Sequence, residues 1–269
     1  LTEYGDLHVR EGGQVNLSNG TLKVHNFTLD AALSGIEGVD AYQEAASGQV
    51  ANSAQLDVRG DAYFVLRLDP ADALTYGWYD FTVPFEVEIS NGIYRYGENT
   101  PMTSGVDFIV MEHSEAKRAA GQYDWVKTTG TMQPGRVYTI TLDKWAYTTY
   151  VFKKKSGSSV AGTNSFNAVV SAGNSDTRGW NGMGNGSLQH AKLTSDFDQA
   201  KVQLYDHQHN VYVTKEATEC NFAVGTSFFI QVANSQTISI VAADENRILF
   251  APSREDEYAT DEFRLTLTD

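Results

Sequence analysis

One alternation constrains this chain more than any other feature. Phe81, Val83, Phe85, Val87 and Ile89 are apolar, and Thr82, Pro84, Glu86, Glu88 and Ser90 stand between and after them. A period of two is that of a β-strand with one face buried and one wet. Pro84 lacks a ladder donor, so the strand is expected at an edge or bulge. Shorter runs repeat the theme at Leu22–Val24, Leu56–Val58, Tyr63–Leu68, Phe108–Met111, Val137–Leu142, Val202–Tyr205, Val211–Val213, Phe228–Val232, Ile238–Val241 and Phe263–Leu267. They are rich in β-branched and aromatic residues and separated by Gly, Asn, Asp and Ser. Asn19-Gly20, Asn91-Gly92 and, in a looser loop, Asn185-Gly186 supply the positive φ that hairpins need.

Helix signals are few. Ser114 to Gly121 offers an N-cap serine, good helix formers and a terminal glycine, which predicts one or two helical turns between strands. Asp30 to Ala46 is a second candidate, weakened by Gly35 and Gly38 inside it and Gly48 just beyond. The fold class expected is all-β: tandem antiparallel β-sandwich units behind a strand-rich N-terminal segment, either the last rungs of a parallel β-solenoid or a plain strand-rich lead-in. That segment, residues 1–66, holds short apolar strands set off by Gly and Asn, such as Gln14-Val15-Asn16-Leu17 and Thr21-Leu22-Lys23-Val24. Residues 67–145 form the first sandwich unit. Residues 146–250 form a related one, opened by the Ser/Gly/Asn-rich stretch from Lys155 to Asn164. Residues 251–269 read as an acidic linker and a terminal strand. A Gly-Trp start (Gly77-Trp78 and Gly179-Trp180) and a glycine before an apolar strand (Gly135 and Gly225) recur in both units.

Charge removes some functions. With 34 Asp and Glu against 20 Lys and Arg, the formal charge is −14, and the longest basic run is Lys153-Lys154-Lys155. Polyphosphate binding needs clustered cations, so nucleic acid is not an expected partner. No stretch approaches the roughly 18 consecutive apolar residues of a membrane span, so no direct membrane insertion is expected. Leu1-Thr2-Glu3-Tyr4 lacks the regions of a signal peptide, leaving an intracellular chain or a processed piece of something exported. Cys220 stands alone, which excludes an internal disulfide and a Cys-rich zinc site, and its apolar surroundings predict an inert buried thiol.

Trp78-Tyr79-Asp80-Phe81-Thr82-Val83-Pro84-Phe85-Glu86-Val87, Gly179-Trp180-Asn181 with Gly184-Asn185, and Gly225-Thr226-Ser227-Phe228-Phe229-Ile230-Gln231 resemble β-sandwich modules of large secreted and surface-anchored adhesin-like proteins of Bacteroidetes. The resemblance covers roughly residues 60–250. In such proteins the modules lie downstream of solenoid or leucine-rich repeats, and the segment before residue 60 resembles a solenoid end. Where relatives continue Gly-Asn-Pro and an aromatic, this chain reads Gly184-Asn185-Gly186-Ser187, so the turn keeps its backbone freedom with a different exposed face. The resemblance implies a secreted or cell-surface location within a larger exported protein, and protein or glycan surface ligands as partners.

Enzyme signatures are sparse. Glu86 and Glu88, about 7 Å apart on one strand face, have the spacing of paired glycosidase carboxylates, yet read better as a solvated edge that discourages strand pairing. Asp206-His207-Gln208-His209 has a metal-binding composition, with Asp196 or Asp198 as a further ligand, but sits where a hairpin turn belongs. No Gly-x-Ser-x-Gly elbow occurs, and Gly182-Met183-Gly184-Asn185-Gly186 lacks the Gly-Lys-Ser/Thr of a phosphate loop. No cofactor is expected; structural calcium is compatible with the loop carboxylates Asp196, Asp198 and Asp256 to Asp261. Trp78 and Trp180 read as caps on the sandwich core. The candidates for sugar stacking are Tyr123, Trp125 and Trp145, with Tyr94 and Tyr96 as further aromatics near turns. The functional expectation is a non-catalytic structural or adhesion module, with a carbohydrate-binding module as the rival reading and a β-sandwich glycoside hydrolase behind both.

Overall fold

The computed structural model describes residues 4–17, 20–33, 47–68, 78–142, 149–194, 201–206 and 211–243. The chain starts as a parallel coil. Strands β1 (Leu7–Val9), β2 (Gln14–Asn16) and β3 (Leu22–Val24) make one turn; β4 (Phe27–Leu33), β5 (Gln49–Ala51) and β6 (Leu56–Val58) make the next; β7 (Ala62–Leu68) begins a third. Each strand pairs in parallel with its counterpart one turn on, Leu7 opposite Phe27, Phe27 opposite Ala62, Val15 opposite Val50 and Leu22 opposite Leu56. Apolar residues therefore stack on apolar residues, and Phe27, Leu29, Val50, Leu56, Phe64 and Leu66 are buried. The expected helix at Asp30–Ala46 is corrected in its first part, because Asp30 to Leu33 belong to β4, whose ladder with β7 supplies their backbone bonds; residues 34–46 lie outside the described residues.

The ladder then changes direction. After β7 come β8 (Trp78–Phe81), β9 (Val87–Glu88), β10 (Ile93–Arg95), β11 (Phe108–His113), helix α1 (Glu115–Ala119), β12 (Trp125–Lys127), β13 (Thr131–Met132), β14 (Tyr138–Leu142) and β15 (Thr149–Lys153). β15 adds antiparallel to β7, and β10 to β15, so one sheet runs β1-β4-β7-β15-β10 from coil to sandwich without a break. A second sheet, β12-β11-β14-β8, lies against it. Phe81 of that sheet meets Phe152 of the first with ring centroids 5.3 Å apart. α1 forms as its sequence predicts, with the Ser114 hydroxyl accepting from Lys117 N and Gly121 at φ 68 ending it.

The expected strand over Phe81–Ile89 is two strands. β8 ends at Phe81, the chain bends at Pro84-Phe85, and β9 begins at Val87. The supposedly wet positions Thr82 and Pro84 are buried, and another sheet packs on Thr82.

That covering sheet comes from the last part of the chain: β16 (Ser165–Ala168), β17 (Trp180–Gly184), β18 (Ala191–Leu193), β19 (Lys201–Asp206), β20 (Val211–Glu216), β21 (Ser227–Gln231) and β22 (Gln236–Ala242). They form a sheet β17-β21-β19-β20 and a smaller one, β16-β22-β18. Met183, Val202, Leu204, Phe228 and Ile230 point from the former onto Ile238 and Ile240 of the latter, making a second core. The opposite face presents Gly182, Tyr212 and Phe229 to the β8–β14–β11–β12 sheet, where Val137, Asp80 and Trp125 meet them. The result is four stacked sheets in which the middle two are covered on both faces. It explains why Phe228, Phe229 and Ile230 are all buried rather than alternating. Thr149–Lys153, which follows the boundary expected at 145/146, belongs to the first sheet, and Tyr150, Phe152 and Val160 pack in the first core. Residues 251–269 lie outside the described residues.

Candidate functional site

Chemistry concentrates at the seam between the two middle sheets. β8 puts Tyr79 and Phe81 into the first core, so strand alternation turns Asp80 to the seam, where it is 5% exposed. Thr139 lies opposite it on β14, its hydroxyl facing the carboxyl without an aligned hydrogen bond. From β20 the Tyr212 hydroxyl donates to Asp80 Oδ2 at 3.2 Å. Burial pushes the Asp80 carboxyl up to about 7, more than the facing hydroxyls of Thr139 and Tyr212 lower it. Tyr212 is itself raised by burial first and by the Asp80 carboxyl next. Tyr212 is nevertheless 43% exposed, so its ring spans from solvent to the buried acid. The Phe229 ring stands edge-on to Tyr212 at 5.4 Å and to His113 at 4.9 Å, filling the centre of the seam.

A second carboxylate ties the units from the helix. Glu115, buried at the first turn of α1, accepts from Ser171 N at 3.1 and 3.0 Å and from Gly179 N at 2.6 Å. Burial raises its pKa, but these donors outweigh burial and hold the carboxyl below its usual value. Nearby, Asp124 lies 3.4 Å from His113 Nε2 and 3.1 Å from Arg118 Nη1. His113 is the main cause, with Arg118 adding to it, that keeps Asp124 below the ordinary carboxylate range despite its burial. The Arg118 guanidinium lies 5.0 Å over the Trp180 ring. Trp180 is half-buried at the start of β17, its indole N–H donating to Asp176 O, and Trp78 is half-buried at the start of β8.

Tyr123 is 68% exposed, with its hydroxyl 3.9 Å from Met111 Sδ. Trp125 is half-buried, its ring edge-on to His113 at 5.8 Å and to Phe229 at 6.0 Å, so part of its surface is spent on the seam. Trp145 lies outside the described residues. Tyr94 sits half-buried on β10 and Tyr96 is exposed just beyond it. Glu86 and Glu88 are not brought together as a pair: Glu86 stands 3.7 Å from Lys155 Nζ, and Glu88 faces Thr131 in the short β9–β13 ladder. β19 and β20 are antiparallel neighbours, and His207 and His209 between them lie outside the described residues, as do Asp196, Asp198 and Asp256 to Asp261. Among the described residues no three His, Cys, Asp or Glu stand close enough together to hold a metal ion. Cys220 is buried, its thiol donating to Glu216 O.

The Asn185-Gly186 segment is not an exposed turn. Asn185 is fully buried; its amide donates to Gln189 O and Phe222 O at 2.8 Å each and its Oδ1 accepts from the Ser187 hydroxyl at 2.7 Å. It works as an internal clamp on irregular backbone that would otherwise carry orphaned carbonyls.

Sequence reasoning passed over Asp80, Glu115 and Tyr212. The signal for Asp80 was an acid set inside the apolar run Trp78-Tyr79-Asp80-Phe81, where a charge has no business unless its face is functional or pinned. No protein family, curated protein or solved structure matches the chain.

Proposed function

We propose that the chain is a non-catalytic structural and adhesion module of a longer, exported cell-surface protein, holding a contact surface rigidly at the end of a parallel coil. One observation carries the reading: the coil's first turn is only partly covered, with Val9, Leu17 and Val24 buried but the residues that open or centre its strands less so. Leu7, Val15 and Leu22 are only half-buried, whereas Phe27, Val50 and Leu56, one turn on and in register with them, are buried. Among the described residues β1, β2 and β3 each pair on one side only. Such an end suits further coil turns, since each would bury apolar surface and pair open edges. The far side of the coil continues by hydrogen bonds into the stacked sheets, so load on the coil reaches both units.

The rival reading, a surface that stacks sugars, is favoured by the exposure of Tyr123 and Tyr96. Both readings meet in one experiment. The purified chain is screened against polysaccharides, host glycans and matrix proteins, with tryptophan fluorescence for binding and reducing-sugar assay for turnover. The module reading expects contact with macromolecular surfaces and no sugar release; binding of soluble glycans lost in Tyr123→Ala moves the function to sugar stacking. Released reducing sugar overturns both.

A further inference from the structure

Away from the seam, a cleft of about 390 Å³ opens between the Pro84 bend and the loop that follows β15. Its walls are Glu86 on one side, Gln133 and Pro134 on another, and Lys155 to Ser159 on the third. The recess is broadly open to solvent.

The loop is braced from within. Lys154 Nζ donates to Lys155 O at 3.2 Å and Ser158 O at 2.9 Å. Ser158 returns its backbone N–H and its hydroxyl to Lys155 O. Lys155 N donates to Glu86 O at 2.7 Å, fastening the loop to the opposite wall, and Gly157 takes φ +80 at the tip. A recess held this way spends little entropy on closing around a ligand.

The residues that line the cleft carry one charge of each sign, Glu86 and Lys155, with the Lys154 ammonium held behind the loop. Glu86 and Lys155 face one another at 3.7 Å and cancel. Lys155 Nζ also donates to Thr131 Oγ1 at 3.3 Å. The Gln133 amide and the Ser156 hydroxyl form no hydrogen bond within the described residues, so donors and acceptors of both kinds remain unspent at the mouth. The Pro134 ring adds a small apolar face. A neutral pair of opposite charges, a free amide, a free hydroxyl and one apolar ring match a ligand that alternates hydroxyls with C–H faces and carries no net charge.

We infer that this cleft binds a neutral monosaccharide unit through Gln133, Ser156, Glu86 and Lys155. The site is separate from the exposed aromatics and stands or falls independently of the module reading, since a rigid spacer can hold such a recess or lack one.

The test is NMR titration of the full chain with methyl glucoside, methyl galactoside and methyl mannoside, and with glucosamine and glucuronate as charged counterparts. The inference expects saturable shifts at residues of the cleft with a Kd on the order of 1 mM, about −4 kcal/mol, for at least one neutral glycoside. Gln133→Ala and Ser156→Ala each weaken it about three- to tenfold, the loss of one hydrogen bond, while Tyr123→Ala leaves it unchanged. Shift mapping on the unaltered chain locates the site whatever the variants do. No saturation at the cleft, tighter binding of either charged sugar, or loss of binding in Tyr123→Ala with both cleft variants unchanged overturns it.

Discussion

The Tyr212 hydroxyl donates 3.2 Å to the Asp80 carboxyl across 132 residues of sequence, from the edge of one middle sheet to the edge of the other. It is a polar bond in a seam whose neighbours are mostly rings and methyls, and it places a titrating acid where the units meet.

That acid makes stability depend on pH in a particular direction. The Asp80 carboxyl is raised from 3.8 to about 7 by burial, so the folded chain holds its proton more tightly than the unfolded chain does. Its favourable contribution is complete below pH 4, falls as pH rises from about 4 to about 7, and is lost above. The slope is at most about 1.4 kcal/mol per pH unit. Asp80→Asn keeps the shape and an acceptor for Tyr212 while removing the titration. Urea midpoints at pH 5 and pH 8 are expected to differ less in Asp80→Asn than in the unaltered chain, with the variant the more stable of the two at pH 8. An identical pH dependence in both chains would remove Asp80 from the account.

Glu115 titrates in the opposite sense. Its carboxyl lies below the ordinary 4.5, so its stabilisation is present above the unfolded pKa and is lost as pH falls through the folded one. Glu115→Ala leaves the half-buried Ser171 N and the buried Gly179 N without their acceptor and is expected to cost about 2–4 kcal/mol at pH 7. Denaturant unfolding at pH 7 and pH 3 measures both parts: the gap between variant and unaltered chain should narrow in acid.

The seam is closely fitted at Gly182, where an added Cβ would run into the Val137 side chain and stand 2.9 Å from Phe229. Gly182→Ala is expected to lower stability by about 1–3 kcal/mol, the usual cost of overpacking. Val137→Ala placed in the same chain should recover part of the loss, because it removes the obstructing methyls. A thermal melt of Gly182→Ala, Val137→Ala and the double variant decides it; equal destabilisation by Gly182→Ala with and without Val137→Ala would show that Gly182 is needed for its backbone alone.

Asn185 offers a chemical test. Asn185→Asp preserves size but turns two donated hydrogen bonds, to Gln189 O and Phe222 O, into contacts between a carboxylate and carbonyls. Removal of partners from a buried polar network costs about 3 kcal/mol or more, and the yield of folded protein should fall sharply. Normal yield with an unchanged melting temperature would mean that the clamp is not structural.

Local chemistry was legible wherever a local rule decides. Leu22–Val24 and Leu56–Val58 are strands at the positions their apolar pattern gives, and Ser114 and Gly121 bound α1 as caps do. What could not be read locally is which strands meet. The parallel pairing of β4 with β7 spans the residues around 34–46, and β15 crosses the expected 145/146 boundary to pair with β7, since nothing in Tyr150-Val151-Phe152 names its partner. The alternation at Phe81–Ile89 misled because it assumes a single buried face; a second sheet covers Thr82 and buries Asp80 as well. The cleft was invisible because Glu86, Gln133 and Ser156 come from three separate stretches.

Coil and stacked sheets are joined where β7 is bonded to β4 on one side and to β15 on the other. Single-molecule pulling on the two ends of the chain tests this junction most directly. The account predicts that the coil strands β1 to β7 yield together with the first sandwich, in one high-force event. A coil that peels away at low force, leaving the stacked sheets folded for a later event, would contradict it.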